Sequence, residues 1–222
     1  MLVADPAERT RGPGRPPRLS REAVVTAAEE IVARDGIDAL TMRRVAHELQ
    51  SSTMAPYRHV RDKDELLVLL LDRLAERLPR PALPADPRQR LMTLWRLLYD
   101  GLDQSPWVVE VLVKGHLMAR SVLWVIEEIL AAFVAAGLSH DQAAAAYRAA
   151  WQLTVGALTI RHGLARTAAS GRPRFQLSLL EGVDPAALPT LGAVARSGYW
   201  STQLEDYDQG MSALLDGLLA RR

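Results

Sequence analysis

The 222-residue chain contains no cysteine. Disulfide frameworks, thiolate nucleophiles and cysteine zinc sites are excluded together, and the composition fits a reducing cytoplasm. Long apolar runs are missing too. The strongest, Leu66 to Leu71, is far shorter than the roughly 20 residues a membrane helix needs. The opening MLVADPAERTRGPG lacks the apolar core of a signal peptide. Lysine occurs only at positions 63 and 114, so arginine carries nearly all the positive charge. The formal net charge is only +1, which means that contact with nucleic acid must rest on local clustering. Neither strand alternation nor an internal repeat is present.

Catalytic constellations are equally scarce. His47-Glu48 lacks the second histidine of a zinc-protease helix. Ser139-His140-Asp141 is contiguous, the wrong geometry for a triad, and its serine reads better as a helix cap. There is no glycine-rich phosphate loop. The expectation is therefore no enzyme, no catalytic residue, no metal and no cofactor.

What remains is helix. Residues 1–19 are rich in Pro, Gly and Arg and form a flexible basic arm. Ser20 caps a first helix whose Val24, Ala28, Ile31 and Val32 share a face, and Gly36 ends it. Thr41 opens a second helix with Val45, Ala46 and Leu49 inward. A third short helix is predicted from Ser52 or Thr53, with Pro56 in its first turn, where the absent N–H costs nothing. Asp62 and Glu65 cap a fourth, running through LLVLLLDRLAERL to about Leu78. Four prolines in PRPALPADP break the chain. The expected division is a head at 20–78, a linker at 79–87 and a body at 88–222. In the body, helices are predicted over 88–103, 107–112, 116–136, 139–166, 185–196 and 202–219, the fourth opened by a Ser139/Gln142 capping box. The fold class is all-α.

Three short helices with a tight second turn make a helix-turn-helix, which presents the start of its third helix to base edges in the major groove. The segment TMRRVAHELQSSTMAPYRHVRDKDELL, residues 41–67, resembles the head of the TetR family of bacterial repressors, through Thr41, Ala46, Tyr57, His59, Val60, Lys63, Leu66 and Leu67. DYDQGMSALLDGLLAR, near the C-terminus, resembles the body of its tetracycline-repressor branch. The resemblance implies a homodimeric regulator, in the usual case a repressor, that a small-molecule effector releases from a palindromic operator. It implies base contacts from Thr53, Met54 and Ala55 and a base or phosphate contact from Arg43, with Thr41 and Ser52 beside them. Phosphate contacts fall to Tyr57, His59 and Lys63, all of which can donate to phosphate oxygens. The chain departs from the pattern at Gln50-Ser51, usually Gly-Val, and at Pro56, usually Leu. Should Gln50 be left-handed, the strain is about 1–2 kcal/mol. These departures sustain an alternative: a helical small-molecule-binding dimer with weak or lost DNA binding.

In the arm, Arg15 and Arg18 lie in PGRPPR, which resembles the core of an AT-hook suited to a narrow minor groove. In the body, an apolar pocket with a few polar groups is expected from Trp95, Tyr99, Trp107, His116, Arg120, Trp124, Tyr147, Trp151, Gln152 and His162. A dimer seam is expected from Leu153, Gly156, Ala157, Ile160 and Leu164 on the long helix, facing Met211, Leu214, Leu215 and Leu218 on the last.

Overall fold

A computed structural model describes residues 19–115, 117–170, 179–180, 182–197 and 207–220. Among these, nine α-helices and no strands occur: α1 (Arg21–Asp35), α2 (Met42–Glu48), α3 (Lys63–Glu76), α4 (Pro87–Asp103), α5 (Pro106–Leu112), α6 (Leu123–Ala135), α7 (His140–Ala169), α8 (Pro189–Arg196) and α9 (Tyr207–Leu219). Packing divides the chain into two units, one ending at Leu70 and the other beginning at Leu71. The division falls inside α3, so residues 71–78 pack with the second unit rather than the first.

Local chemistry sets the helix ends. The Ser20 hydroxyl accepts from the Ala23 N–H at 3.1 Å and Thr41 does the same for Arg44 at 3.1 Å. Gly36 closes α1 at φ 82°, a conformation that disfavours any side chain. Ser139 and Gln142 form a reciprocal capping box at the start of α7. Asp62 accepts from the Glu65 N–H at 2.8 Å, while the Glu65 carboxylate turns back to the N–H of Arg61, one residue before the cap.

In the first unit, α1 packs on α2 and on the 3₁₀ turn Ile37–Ala39, and Val24, Ala28, Ile31, Leu40, Val45 and Leu66 are fully buried. In the second, α4 packs on α6, and α7 packs against α4, α5, α6 and α9. Its center is Trp95, Leu94, Ile129, Phe133 and Leu158, all without exposure.

Several elements differ from the sequence expectation. Residues 53–60 do not form an α-helix; they make a turn followed by one 3₁₀ turn, Pro56–Arg58. Pro56 has no N–H to give the Ser52 carbonyl, which accepts from Ala55 at 2.9 Å instead, and the tighter pattern propagates through Ala55 to Arg58 at 3.2 Å. The helix predicted from 116 begins only at Leu123, after a 3₁₀ turn at Arg120–Val122. The long helix continues to Ala169, and α8 starts at Pro189, not 185, its first turn set by proline. The arm, with Arg15 and Arg18, lies outside the described residues, as do His116 and the predicted start of the last helix.

Candidate nucleic-acid interface and ligand cavity

In the first unit, the segment after α2 is built to display side chains. Its bend is made by Gln50 at φ 48°, in the left-handed conformation. Among the described residues, no other residue except glycine has positive φ. The Ser51 N–H reaches back to the Ala46 carbonyl at 2.9 Å and the Ser51 hydroxyl to the same oxygen at 3.2 Å, locking the turn. Pro56 and Val60 are buried and pin the loop to the core. Between them and before them, Ser52, Thr53, Met54, Tyr57 and Arg58 are exposed, and Ala55 and His59 are half-buried. Met54 is 67% exposed and Tyr57 42%, two apolar surfaces that burial would normally claim.

The charges around this loop fall into two classes. Arg34 grips both oxygens of Glu48, at 3.2 and 3.1 Å, and Arg44 reaches Asp35 at 2.6 Å. Hydrogen bonding to Glu48 and Asp35 raises the Arg34 pKa, and the Arg34 bond holds Glu48 below the usual carboxylate range. Arg21 pairs with Glu65 and Arg61 with Asp62. Arg43, Arg58 and Lys63, all exposed, have no acidic partner among the described residues. Between residues 19 and 70, carboxylates outnumber cations nine to seven, so the unit is not a basic body and its cation-presenting surface is local. Arg58 was not singled out from sequence. Its position between Tyr57 and His59 was the available signal, and an α-helical reading of the segment obscured which way it faced.

The second unit holds a cavity of about 220 Å³. Its wall comes from the second half of α3 (Leu71, Leu74, Ala75, with Leu78 just beyond), from α4 and α5 (Leu98, Leu102, Val108, Leu112), and from the stretch leading into α6 (Met118, Ala119, Val122, Ile126). Of the aromatic and polar residues proposed from sequence, Tyr147 and Trp151 line it. Several of the other described candidates are engaged elsewhere. Trp95 is fully buried against Tyr147, ring centers 5.6 Å apart, and its Nε1–H has no acceptor among the described residues. Tyr99 stacks on Tyr207 at 4.0 Å. Trp124 lies under the Arg80 guanidinium at 4.8 Å. His162 is buried, its Nε2 2.9 Å from Asp103, which also accepts from Arg161 at 3.1 Å. Trp107 is half-buried, and Arg120 and Gln152 are exposed away from the cavity wall. The aliphatic lining from α3 was missed because a Leu-rich helix reads as ordinary core.

The presumed seam also separates into two sets. Met211 and Leu215 have no exposure within the protomer, so they serve internal packing and not a partner. Leu214 and Leu218 on α9, and Leu153, Gly156, Ala157 and Leu164 on α7, are half-buried, and Ile160 is 60% exposed. A side chain added at Gly156 would meet nothing within 4 Å.

Residues 80–222 match the family described as tetracyclin repressor-like, C-terminal domain. The chain belongs to the TetR family of transcriptional regulators. Along 219 residues it is 30% identical to the HTH-type transcriptional repressor DrrR1 of Streptomyces coeruleorubidus, covering 94% of this chain and 80% of that one. A 68-residue stretch is 40% identical to the tetracycline repressor protein class D of Escherichia coli, 31% of each chain. The fold of this TetR-family chain is also that of ActR from Streptomyces coelicolor. The apo protein superposes with a TM-score of 0.75 at 22% identity, over 91% of this chain and 95% of ActR. ActR in complex with actinorhodin gives 0.76 at 21%, over 92% and 97%. Among the described residues, no helix of this TetR-family member is long and apolar enough to cross a membrane.

Proposed function

We propose that this regulator is a cytoplasmic repressor that binds a palindromic operator as a homodimer and leaves it when a small molecule occupies the second unit's cavity. The observation that carries the reading is the exposed loop 52–59, anchored by buried Pro56 and Val60, with Met54 and Tyr57 facing solvent. Thr53, Met54 and Ala55 meet base edges, where a methionine or alanine suits a thymine methyl. Arg43, beside the capping Thr41, reaches a guanine or a phosphate. Tyr57, Arg58, His59 and Lys63 take phosphates, with Ser52 at the rim. Arg15 and Arg18 of the arm enter the adjoining minor groove.

Two copies meet through α7 and α9 by way of Leu153, Gly156, Ala157, Ile160, Leu164, Leu214 and Leu218. The pair then reads two half-sites about 34 Å apart, or a multiple of that spacing. α3 ends in the cavity wall and begins with Lys63, so occupancy biases the head through this one helix, with a coupling of about 1–3 kcal/mol typical of such linkage. No turnover is proposed.

A mobility-shift assay with DNA from upstream of the protein's own gene tests the reading. The intact chain should retard it, and the Tyr57→Ala, Lys63→Ala double variant should lose that binding in a salt-sensitive way. No shift by the intact chain at low salt leaves only a helical binding protein.

A further inference from the structure

We propose that the cavity takes an uncharged, largely apolar molecule the size of two fused rings, carrying one hydrogen-bond acceptor and bound without a metal. This rests on the reading of the second unit as the effector-binding body, and it names the chemistry of that effector.

Size comes first. A dry cavity of about 150 Å³ accommodates benzene. At about 220 Å³, this one holds roughly half as much again. A bicyclic skeleton or a short branched chain fits, whereas a large glycosylated or multiply charged molecule does not.

The wall then restricts the polarity. None of the described lining residues is ionisable at neutral pH, and none carries a carboxylate, imidazole or amide. A charged effector would shed its water with nothing to replace it, a cost that grows steeply in an apolar site. A metal-bound effector would need oxygen or nitrogen ligands that these side chains do not supply. Among the described residues of the whole chain, no cluster of three acidic or histidine side chains is placed to hold a metal either.

The polar side chains of the wall set the remaining requirement. Tyr147 and Trp151 are the described lining residues whose side chains carry a hydrogen-bond donor, a hydroxyl and an Nε1–H, and neither side chain has a hydrogen-bond partner among the described residues. The indole N–H can only donate. Burial pushes the Tyr147 phenol up, so it stays protonated and available as a donor. Among the described lining residues, two donors and no strong side-chain acceptor select a ligand oxygen that accepts, such as a ketone, ester or ether. A ligand whose only polar group is a donor finds no counterpart except the Tyr147 oxygen.

Isothermal titration of the full-length protein, without DNA, tests this with three probes on one skeleton: 2-acetonaphthone, naphthalene and 2-naphthoate. The neutral ketone should bind saturably and be unaffected by EDTA. Naphthalene should bind about fivefold more weakly, the value of one hydrogen bond. The carboxylate should bind at least about tenfold more weakly than the ketone. Joint replacement Tyr147→Phe, Trp151→Phe should erase the preference for the ketone over naphthalene. Ala75→Phe fills the cavity and should abolish binding; Val122→Phe, at another lining position, does the same should Ala75→Phe fail to fold by circular dichroism. Tighter binding of 2-naphthoate, loss of ketone binding in EDTA, undiminished binding by a folded cavity-filled variant, or no saturable heat from any probe overturns the proposal. Release of upstream DNA by the ketone is measured separately. Binding without release sinks the effector reading and leaves the cavity chemistry standing.

Discussion

Replacing Arg58 with alanine separates a surface that meets phosphate from one that is merely charged. Arg58 is exposed and has no acidic partner among the described residues, whereas Arg44, on the neighboring helix, is held by Asp35 at 2.6 Å. A free cation releases a counterion when it meets a phosphate, and a cation already neutralised by a carboxylate does so far less. Each phosphate contact contributes about −0.9 to the slope of log K against log salt concentration. In a dimer, Arg58→Ala removes two contacts, so the slope should become less negative by about 2. At 0.15 M salt this amounts to a roughly thirtyfold loss of affinity, taking 1 M as the reference where the term vanishes. Arg44→Ala should move the slope by less than about 0.5. Fluorescence anisotropy of labelled upstream DNA across 50–300 mM salt, a range of roughly the span over which such slopes are read, measures both. Equal slopes for Arg58→Ala and the intact protein refute the reasoning, as does an Arg44→Ala effect as large as that of Arg58→Ala.

Three further outcomes follow from the structure. Gln50→Gly removes left-handed strain of about 1–2 kcal/mol and adds about 0.5–1 kcal/mol of backbone entropy, so thermal unfolding should show a net gain of about 0.5–1 kcal/mol; a loss would mean that the Gln50 side chain holds the turn. Thr154→Val strips the buried Tyr207 hydroxyl of its 2.8 Å partner and leaves only the Trp95 carbonyl at 3.4 Å, so denaturant unfolding should register about 1–3 kcal/mol of destabilisation, more than Tyr207→Phe, which removes the needy group itself. Glu48→Gln should lower the melting temperature at neutral pH. Because the folded Glu48 pKa is depressed, its contribution is present above the ordinary carboxylate pKa and is lost as pH falls through the folded value, so intact and variant melting curves should converge in acid. Curves that stay equally apart at every pH would assign the effect to packing.

Sequence made the helix ends legible where one residue's own chemistry decides them. The caps at Ser20, Thr41 and Ser139 and the stop at Gly36 are all decided between one residue and the nearest few backbone groups. The exposed loop 52–59 was placed correctly and given the wrong helix type, because the loss of one N–H at Pro56 alters hydrogen bonding on both sides of it. The cavity was the least legible part. Aromatic residues mark where packing is densest, so Tyr99 stacks on Tyr207 and Trp95 packs against Tyr147, and most of the cavity wall is left to leucines, valines and alanines of different helices. For the same reason an apolar stripe on α9 could not say which half faces inward. Met211 and Leu215 do, and Leu214 and Leu218 only partly.

The docking of α9 onto its own protomer is directional. Tyr207 sits at its first turn, hydrogen-bonded to Thr154 of α7 and flat against Tyr99 of α4. Leucines tolerate a helix that slides or rolls, but a phenol held by fixed hydrogen-bond partners and one stacked ring face does not. The helix is therefore keyed like a shaft in a slot: turning it by a single residue, about 100°, would break both contacts at once. In the proposed dimer, Leu214 and Leu218 would then present the same edge in every copy of the chain before any second copy arrives, and a single hydroxyl deep inside one molecule would govern the fidelity of what two molecules do together.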